Sequence, residues 1–213
     1  MTKEDEKIVW KPLRTDHIVQ DEWIDFRNTV YEMPDGTELG PFYNFSRQNY
    51  AVIVATDEDG NYICVRQFRH GLRSLTMEFP AGGIERKDGS LAAAVGEGGK
   101  ILVTATEPSD VSPEAALEAA RRELREETGY VSDDWSPLMN VASYATLSDN
   151  YAFIFRARNC RRVAGQDLDD TEFLNVHVIA PEELRRMIDA GEFQQAVHIL
   201  AYYRALEADR SGK

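Results

Sequence analysis

The chain has 213 residues, 43% of them hydrophobic and 10% aromatic, enough for one large domain or a domain with a small appendage. A formal net charge of −13 argues against a nucleic-acid polymer or an anionic membrane as the main partner. It does not exclude a small phosphorylated ligand, because a bound cation can invert the local charge.

The only cysteines, Cys64 and Cys160, stand far apart without metal-site spacing, the pattern of a free-thiol, cytoplasmic protein. The charged start, residues 1–7, is followed by no apolar run, so no signal peptide is expected. No stretch approaches the roughly 20 apolar residues of a membrane span, and no internal repeat is visible.

In chain order, residues 23–45 read as a small β unit, with Pro34-Asp35-Gly36-Thr37 turning one strand back on the next. A longer hairpin is predicted from residues 50–55 and 62–68 around Asp57-Glu58-Asp59-Gly60-Asn61. A short strand over 75–79 runs into Pro80-Ala81-Gly82-Gly83. Residues 86–110 fit nothing around them: they hold Gly89, Gly96, Gly98 and Gly99, and read as a long surface excursion with one short strand.

A helix is predicted over 112–128, with Ser112 as N-cap, Pro113 at the first helical position and Gly129 as the stop. Leu117, Ala120 and Leu124 give it an apolar stripe. Strands follow over 139–143, 152–157 and 174–179, then helices over 181–190 and 193–208. Strands closed by packed helices imply an α+β fold, a layered α/β/α sandwich with a mixed sheet and the small N-terminal β unit. The expected division is 1–47 for that unit and 48–213 for the main domain.

The chemistry concentrates in the helix. Glu123, Glu126 and Glu127 fall at i, i+3 and i+4 and project from one face, where like charges repel by a few tenths of a kcal/mol per pair. Oxygen-only ligation of this kind suits a hard divalent ion such as Mg²⁺, with Mn²⁺ as the alternative.

The order Arg122-Glu123-Leu124-Arg125-Glu126-Glu127-Thr128-Gly129-Tyr130 resembles the second half of the Nudix box, G-x5-E-x7-R-E-U-x-E-E-x-G-U, at all seven defined positions of that half. The flanks are similar to the ADP-ribose pyrophosphatase branch of that family: Val65-Arg66-Gln67-Phe68-Arg69-His70 matches its VRQYRH strand, and Glu78-Phe79-Pro80-Ala81-Gly82-Gly83-Ile84-Glu85 its E-x-PAG-x-x-E lead-in. The likeness spans residues 23–205, apart from the excursion.

The first half of the box departs from the pattern. Between Gly82 and Glu114 lie 31 residues where the pattern has five, so the box is interrupted, and either Asp88 or Glu114 stands for its first Glu. The branch often carries a proline where this chain has Ala145.

The resemblance implies a Nudix-type fold and a pyrophosphatase. It implies Glu123 and Glu127 as metal ligands, Glu126 as a third ligand or the holder of a bridging water, and the Ala81 carbonyl as a backbone ligand. Arg122 would orient these carboxylates. Glu172, in the acidic loop before the last strand, would be the general base. Arg69 would contact phosphate, and Glu78 would bind ribose or a second ion. Ser148-Asp149-Asn150 would face substrate. The branch also implies a homodimer built in part by the N-terminal β segment.

Three functions stay open. The first is Mg²⁺-dependent hydrolysis of ADP-ribose to AMP and ribose 5-phosphate. The second is the same chemistry on another nucleoside diphosphate sugar such as GDP-mannose. The third is a non-catalytic nucleotide-binding module. The expected partner is thus a small nucleoside diphosphate, with no nucleic-acid polymer and no membrane.

Overall fold

Residues 51–55, Ala-Val-Ile-Val-Ala, are all buried although their side chains alternate in direction. A strand can be buried on both faces only if both sides of its sheet are covered. The computed structural model, which describes residues 2–84, 93–95, 101–103 and 108–211, has that layering.

An N-terminal antiparallel sheet contains β1 (Lys11–Gln20), β2 (Asp25–Glu32) and β3 (Glu38–Ser46), in that spatial order. The main sheet begins with β4 (Tyr50–Asp57), β5 (Tyr62–Arg69), β6 (Ser74–Glu78) and β7 (Ala81–Gly83). Among the described residues, strands β8 (Ala93–Val95) and β9 (Ile101–Val103) pair with each other alone. Helix α1 (Pro113–Thr128) precedes β10 (Tyr130–Val131), β11 (Asp134–Ala142), β12 (Tyr151–Arg162) and β13 (Leu174–Ile179), and α2 (Pro181–Asp189) and α3 (Ala196–Arg210) follow.

The main sheet runs β10-β12-β4-β5-β13, with β11 on β12, β6 on β5 and β7 on β4. Strand β12 lies parallel to β4 and the other pairs are antiparallel, so the sheet is mixed. On one face Val52 and Val54 pack with Phe79 and with Leu184, Met187 and Tyr202 of α2 and α3. On the other, Ala51, Ile53 and Phe153 pack with Ala116, Ala120 and Leu124 of α1. The α/β/α sandwich expected from the sequence is present. Its middle layer explains the unbroken apolar run.

Three local expectations are corrected. Strand β1 is absent from the sequence reading because its residues are nearly all exposed, leaving no two-residue burial rhythm to detect. Strands β11 and β12 begin or end several residues beyond the apolar stretches that mark them, since ladder hydrogen bonds continue into polar residues such as Arg158, Arg161 and Arg162. The excursion has two described strands, not one, and it is anchored: the Val103 N–H donates to the Asp21 carbonyl (2.7 Å), and the Val103 carbonyl accepts from Gln20 (3.0 Å).

The N-terminal sheet is tied to the main domain by a polar cluster. Arg27 donates to Asp25 (2.9 Å), Ser46 (2.6 Å) and Asp149 (3.0 Å), and the Phe45 N–H donates to the Leu147 carbonyl (2.8 Å). Ser148-Asp149-Asn150 thus turns to this sheet, where the sequence reading has it facing substrate. Ser148 and Asn150 are buried.

In the α2/α3 layer, His198 is buried, and its Nδ1 accepts the Phe79 N–H (3.1 Å). Burial holds its pKa down at about 4. An unfolded chain takes up this proton below about pH 6.5 while the native state resists it to about pH 4, so acidification across that window should remove roughly 3 kcal/mol of stability. Urea unfolding at a series of pH values should show the slope. His198→Asn, which keeps an acceptor near the Nδ1 position, should flatten it; an unchanged slope would clear His198 of responsibility.

Candidate active site

Helix α1 is built to end where its carboxylates are needed. The Ser112 side chain accepts the Ala115 N–H (3.1 Å), Pro113 occupies the first turn, and Gly129 caps the end at φ 76°. A Cβ at Gly129 would strike the Ala164 carbonyl, so both conformation and crowding demand glycine there.

Segment 80–84 is stitched to β4 and the residue before it: the Ile53 N–H donates to the Pro80 carbonyl (2.9 Å) and the Ile84 N–H to the Asn49 carbonyl (2.8 Å). It lies directly against the helix. A Cβ at Gly82 would overlap the Glu123 carboxylate outright.

Glu123 and Glu127 are both buried beneath this loop. The Ala81 N–H donates to Glu127 Oε2 (3.1 Å). Burial pushes the Glu123 carboxyl up to about 7, with the Glu126 and Glu172 charges adding to it against the opposing pull of Arg122. Burial also raises Glu127 well above the carboxylate range, reinforced by the charge of Glu123 and then of Glu172. Arg122 spans the rim, 2.9 Å from Glu123 Oε1 and 3.0 Å from Glu126 Oε2, and donates to the Gly83 carbonyl (3.1 Å).

The segment after β12 carries Glu172 within range for its charge to act on this pair. The Val163 N–H donates to the Gly129 carbonyl (2.9 Å), the Asp167 N–H to the Glu126 carbonyl (2.9 Å), and Gln166 Nε2 to the carbonyls of Glu127 (2.8 Å) and Leu174 (3.3 Å). Glu172 closes a turn in which its carboxylate accepts the Asp169 N–H (3.2 Å). Sequence reasoning missed Gln166, which carries no charge or motif and matters only through the two carbonyls it bridges.

Arg69 and Glu78 form a unit. Arg69 Nε donates to Oε1 (2.9 Å) and Nη2 to Oε2 (2.5 Å), and Thr76 also bonds the carboxylate. Burial would raise Glu78, but the Arg69 and Thr76 hydrogen bonds outweigh it and hold the carboxyl below its usual range. Glu78 is enclosed with both oxygens taken, so its direct reach is to Arg69.

Breaking the pair with Glu78→Ala should cost about 2 kcal/mol, less than the 3–5 of a fully buried pair because the Arg69 side chain is 38% exposed. Urea unfolding at pH 7 measures it, and a change below about 0.5 kcal/mol would show that the pair anchors nothing.

A profile of the NUDIX domain matches residues 109–200, the stretch that holds α1, the Gln166 segment and Glu172. Over this stretch the chain carries a Nudix domain. Its relatives include two ADP-ribose pyrophosphatases. It is 26% identical over 166 residues to the ADP-ribose pyrophosphatase of Bacillus subtilis (strain 168), covering 76% of this chain and 75% of that one. It is 30% identical over 111 residues to that of Mycobacterium tuberculosis (strain ATCC 25618 / H37Rv), covering 52% of this chain and 42% of that one. In fold it is similar to the crystal structure of an ADP compounds hydrolase, with a TM-score of 0.68 and 17% identity over 95% of this chain and 96% of that chain.

The donor set of this Nudix helix fits a divalent cation. Two carboxylates are buried together with their charged forms disfavoured, and a loop without Cβ at Gly82 leaves room at Glu123. Among the described residues no three Asp, Glu, His or Cys side chains already converge as a metal cluster. A cation here would complete its shell with backbone oxygen, water and substrate, as Mg²⁺ does. Of the two stand-ins for the first box Glu, Glu114 is exposed in the first turn of α1, and Asp88 lies outside the described residues.

Proposed function

We propose that this Nudix hydrolase splits the diphosphate linkage of ADP-ribose, releasing AMP and ribose 5-phosphate with Mg²⁺ as cofactor. The observation that carries the reading is the buried Glu123–Glu127 pair under a glycine loop, with Glu172 near enough for its charge to raise both carboxyls. The two relatives named ADP-ribose pyrophosphatase support the substrate.

In this reading Glu123 and Glu127, with Glu126 and the Ala81 carbonyl, hold the cation. When bound, the ion supplies charge neutralisation for the diphosphate and acidifies water at phosphorus. Arg122 keeps Glu123 and Glu126 from swinging away. Glu172 accepts the proton of the attacking water at the carboxylate oxygen left over from its turn. Arg69, oriented by Glu78, offers its remaining nitrogen, Nη1, to a substrate phosphate.

A homodimer is part of the proposal. Strand β1 is exposed along nearly its whole length yet carries Leu13, Ile18 and Val19, with Trp10 and Trp23 exposed beside it, an apolar surface that a second copy would cover. A cytoplasmic setting accords with two reduced, buried cysteines, and among the described residues no helix is long and apolar enough to cross a membrane.

The deciding experiment is turnover of a panel containing ADP-ribose and GDP-mannose, with and without Mg²⁺. AMP release from ADP-ribose only with the metal is expected. Turnover of another sugar nucleotide alone would move the reading to the second substrate class, and no turnover of any would leave a binding module.

A further inference from the structure

Helix α1 turns a different chemistry outward. Arg121 and Arg125 precede Glu123 and Glu127 by two residues each, about 200° around the helix, so they point away from the carboxylate pair. Both arginines are exposed, and among the described residues neither has a carboxylate within salt-bridge distance. They stand one turn apart, where like charges repel.

They line a cleft of about 550 Å³ with Arg122, Trp135, Gln166 and Asp167. This is the size of a small-metabolite site. The Arg121 guanidinium lies 5.9 Å over the Trp135 ring, whose indole N–H donates to the Ser132 carbonyl (2.8 Å). The indole is thus held, and it holds Arg121 in turn. Glu126 also borders the cleft but is taken up by Arg122. Two guanidiniums therefore face the single carboxylate of Asp167, in a chain whose net charge is −13.

We propose that this cleft is a second ligand site, for a phosphate monoester held between Arg121 and Arg125. The fork geometry of arginine suits the oxygens of a phosphate, and a dianion relieves the repulsion between the pair. The site is separate from the carboxylate pair but shares a wall with it. The Gln166 side chain and the Asp167 N–H, both at the cleft, donate to the carbonyls of Glu127 and Glu126. A ligand there would rest on the segment that leads to Glu172.

The test is calorimetric titration of the full chain in chelator at low salt, with inorganic phosphate, AMP and ribose 5-phosphate as probes. Saturable binding with Kd below about 5 mM, weakened at least about tenfold in R121A/R125A, is expected for one or more probes. Comparable affinities for all three would show that the phosphate alone is read. A clear preference for AMP or for ribose 5-phosphate would show that the group it carries adds contacts. No saturation by any probe, or equal affinity in the double variant, overturns the site. The measurement needs no turnover, so its outcome is independent of the substrate reading, and R121A/R125A should keep wild-type turnover because neither residue faces Glu123 or Glu127.

Discussion

Glu127→Gln is expected to lower turnover roughly a thousandfold, about 4 kcal/mol of transition-state stabilisation, while making the metal-free protein harder to melt. The two effects share one cause. Glu127 is buried, its charged form is disfavoured by burial and by Glu123, and its Oε2 accepts the Ala81 N–H. A glutamine oxygen can keep that hydrogen bond while removing the charge.

The native state then loses a repulsion, worth roughly 1 kcal/mol or about 2–4 °C in Tm for a chain of this size. The proposed cation loses a ligand that an amide replaces poorly. Glu123→Gln should act in the same direction with a smaller gain in Tm, because Glu123 is less enclosed and Arg122 already offsets part of its charge. Thermal melts in chelator and Mg²⁺-dependent AMP release from ADP-ribose would be read on the same preparations. Unchanged turnover in both variants would remove the carboxylate helix from the mechanism.

Gly82→Ala should separate activity from stability in another way. The added methyl would occupy the space of the Glu123 carboxylate. That carboxylate ends a flexible side chain, so the fold can yield by moving it, at a cost of about 1 kcal/mol or less. Catalysis cannot yield so cheaply: a displacement of about 1 Å in a positioned group can cost a hundredfold. The expected result is a near-normal unfolding curve with kcat/KM down by about two orders of magnitude. A variant of wild-type activity would mean that the close approach of loop and helix has no catalytic use.

Part of this site is legible along the chain. The helix can be read in full, because its N-cap at Ser112, its proline, its apolar stripe and its Gly129 stop are all local. The shared face of the three carboxylates follows from helical spacing alone, and the place of Arg122 beside them from the family resemblance. The proximity of Gly82 to Glu123 does not. Many residues separate the two, and an excursion interrupts the familiar spacing. Only the pairing of β7 with β4, and the packing of α1 on the same face, bring them together.

Arg69 illustrates a different limit. Its place beside Glu78 is a cross-strand effect of the β5–β6 ladder, where Val65 pairs with Glu78 and Arg69 with Ser74. A pattern read along one strand does not contain its neighbour. Strand β1 was illegible for the opposite reason, since a strand with nearly every residue exposed has no burial rhythm for a sequence to encode.

By itself, then, the amino-acid order determined the carboxylate helix, the apolar middle of the sheet and the family the chain resembles, because each is written in short-range spacing. Tertiary structure alone decided which carboxylates are buried, that Gln166 clamps the Glu172 segment to the helix end, and that Arg121 and Arg125 share a cleft on the opposite face. The physical reason is that burial, desolvation and charge proximity belong to contacts between distant segments, and those exist only once the sheet has brought the segments together.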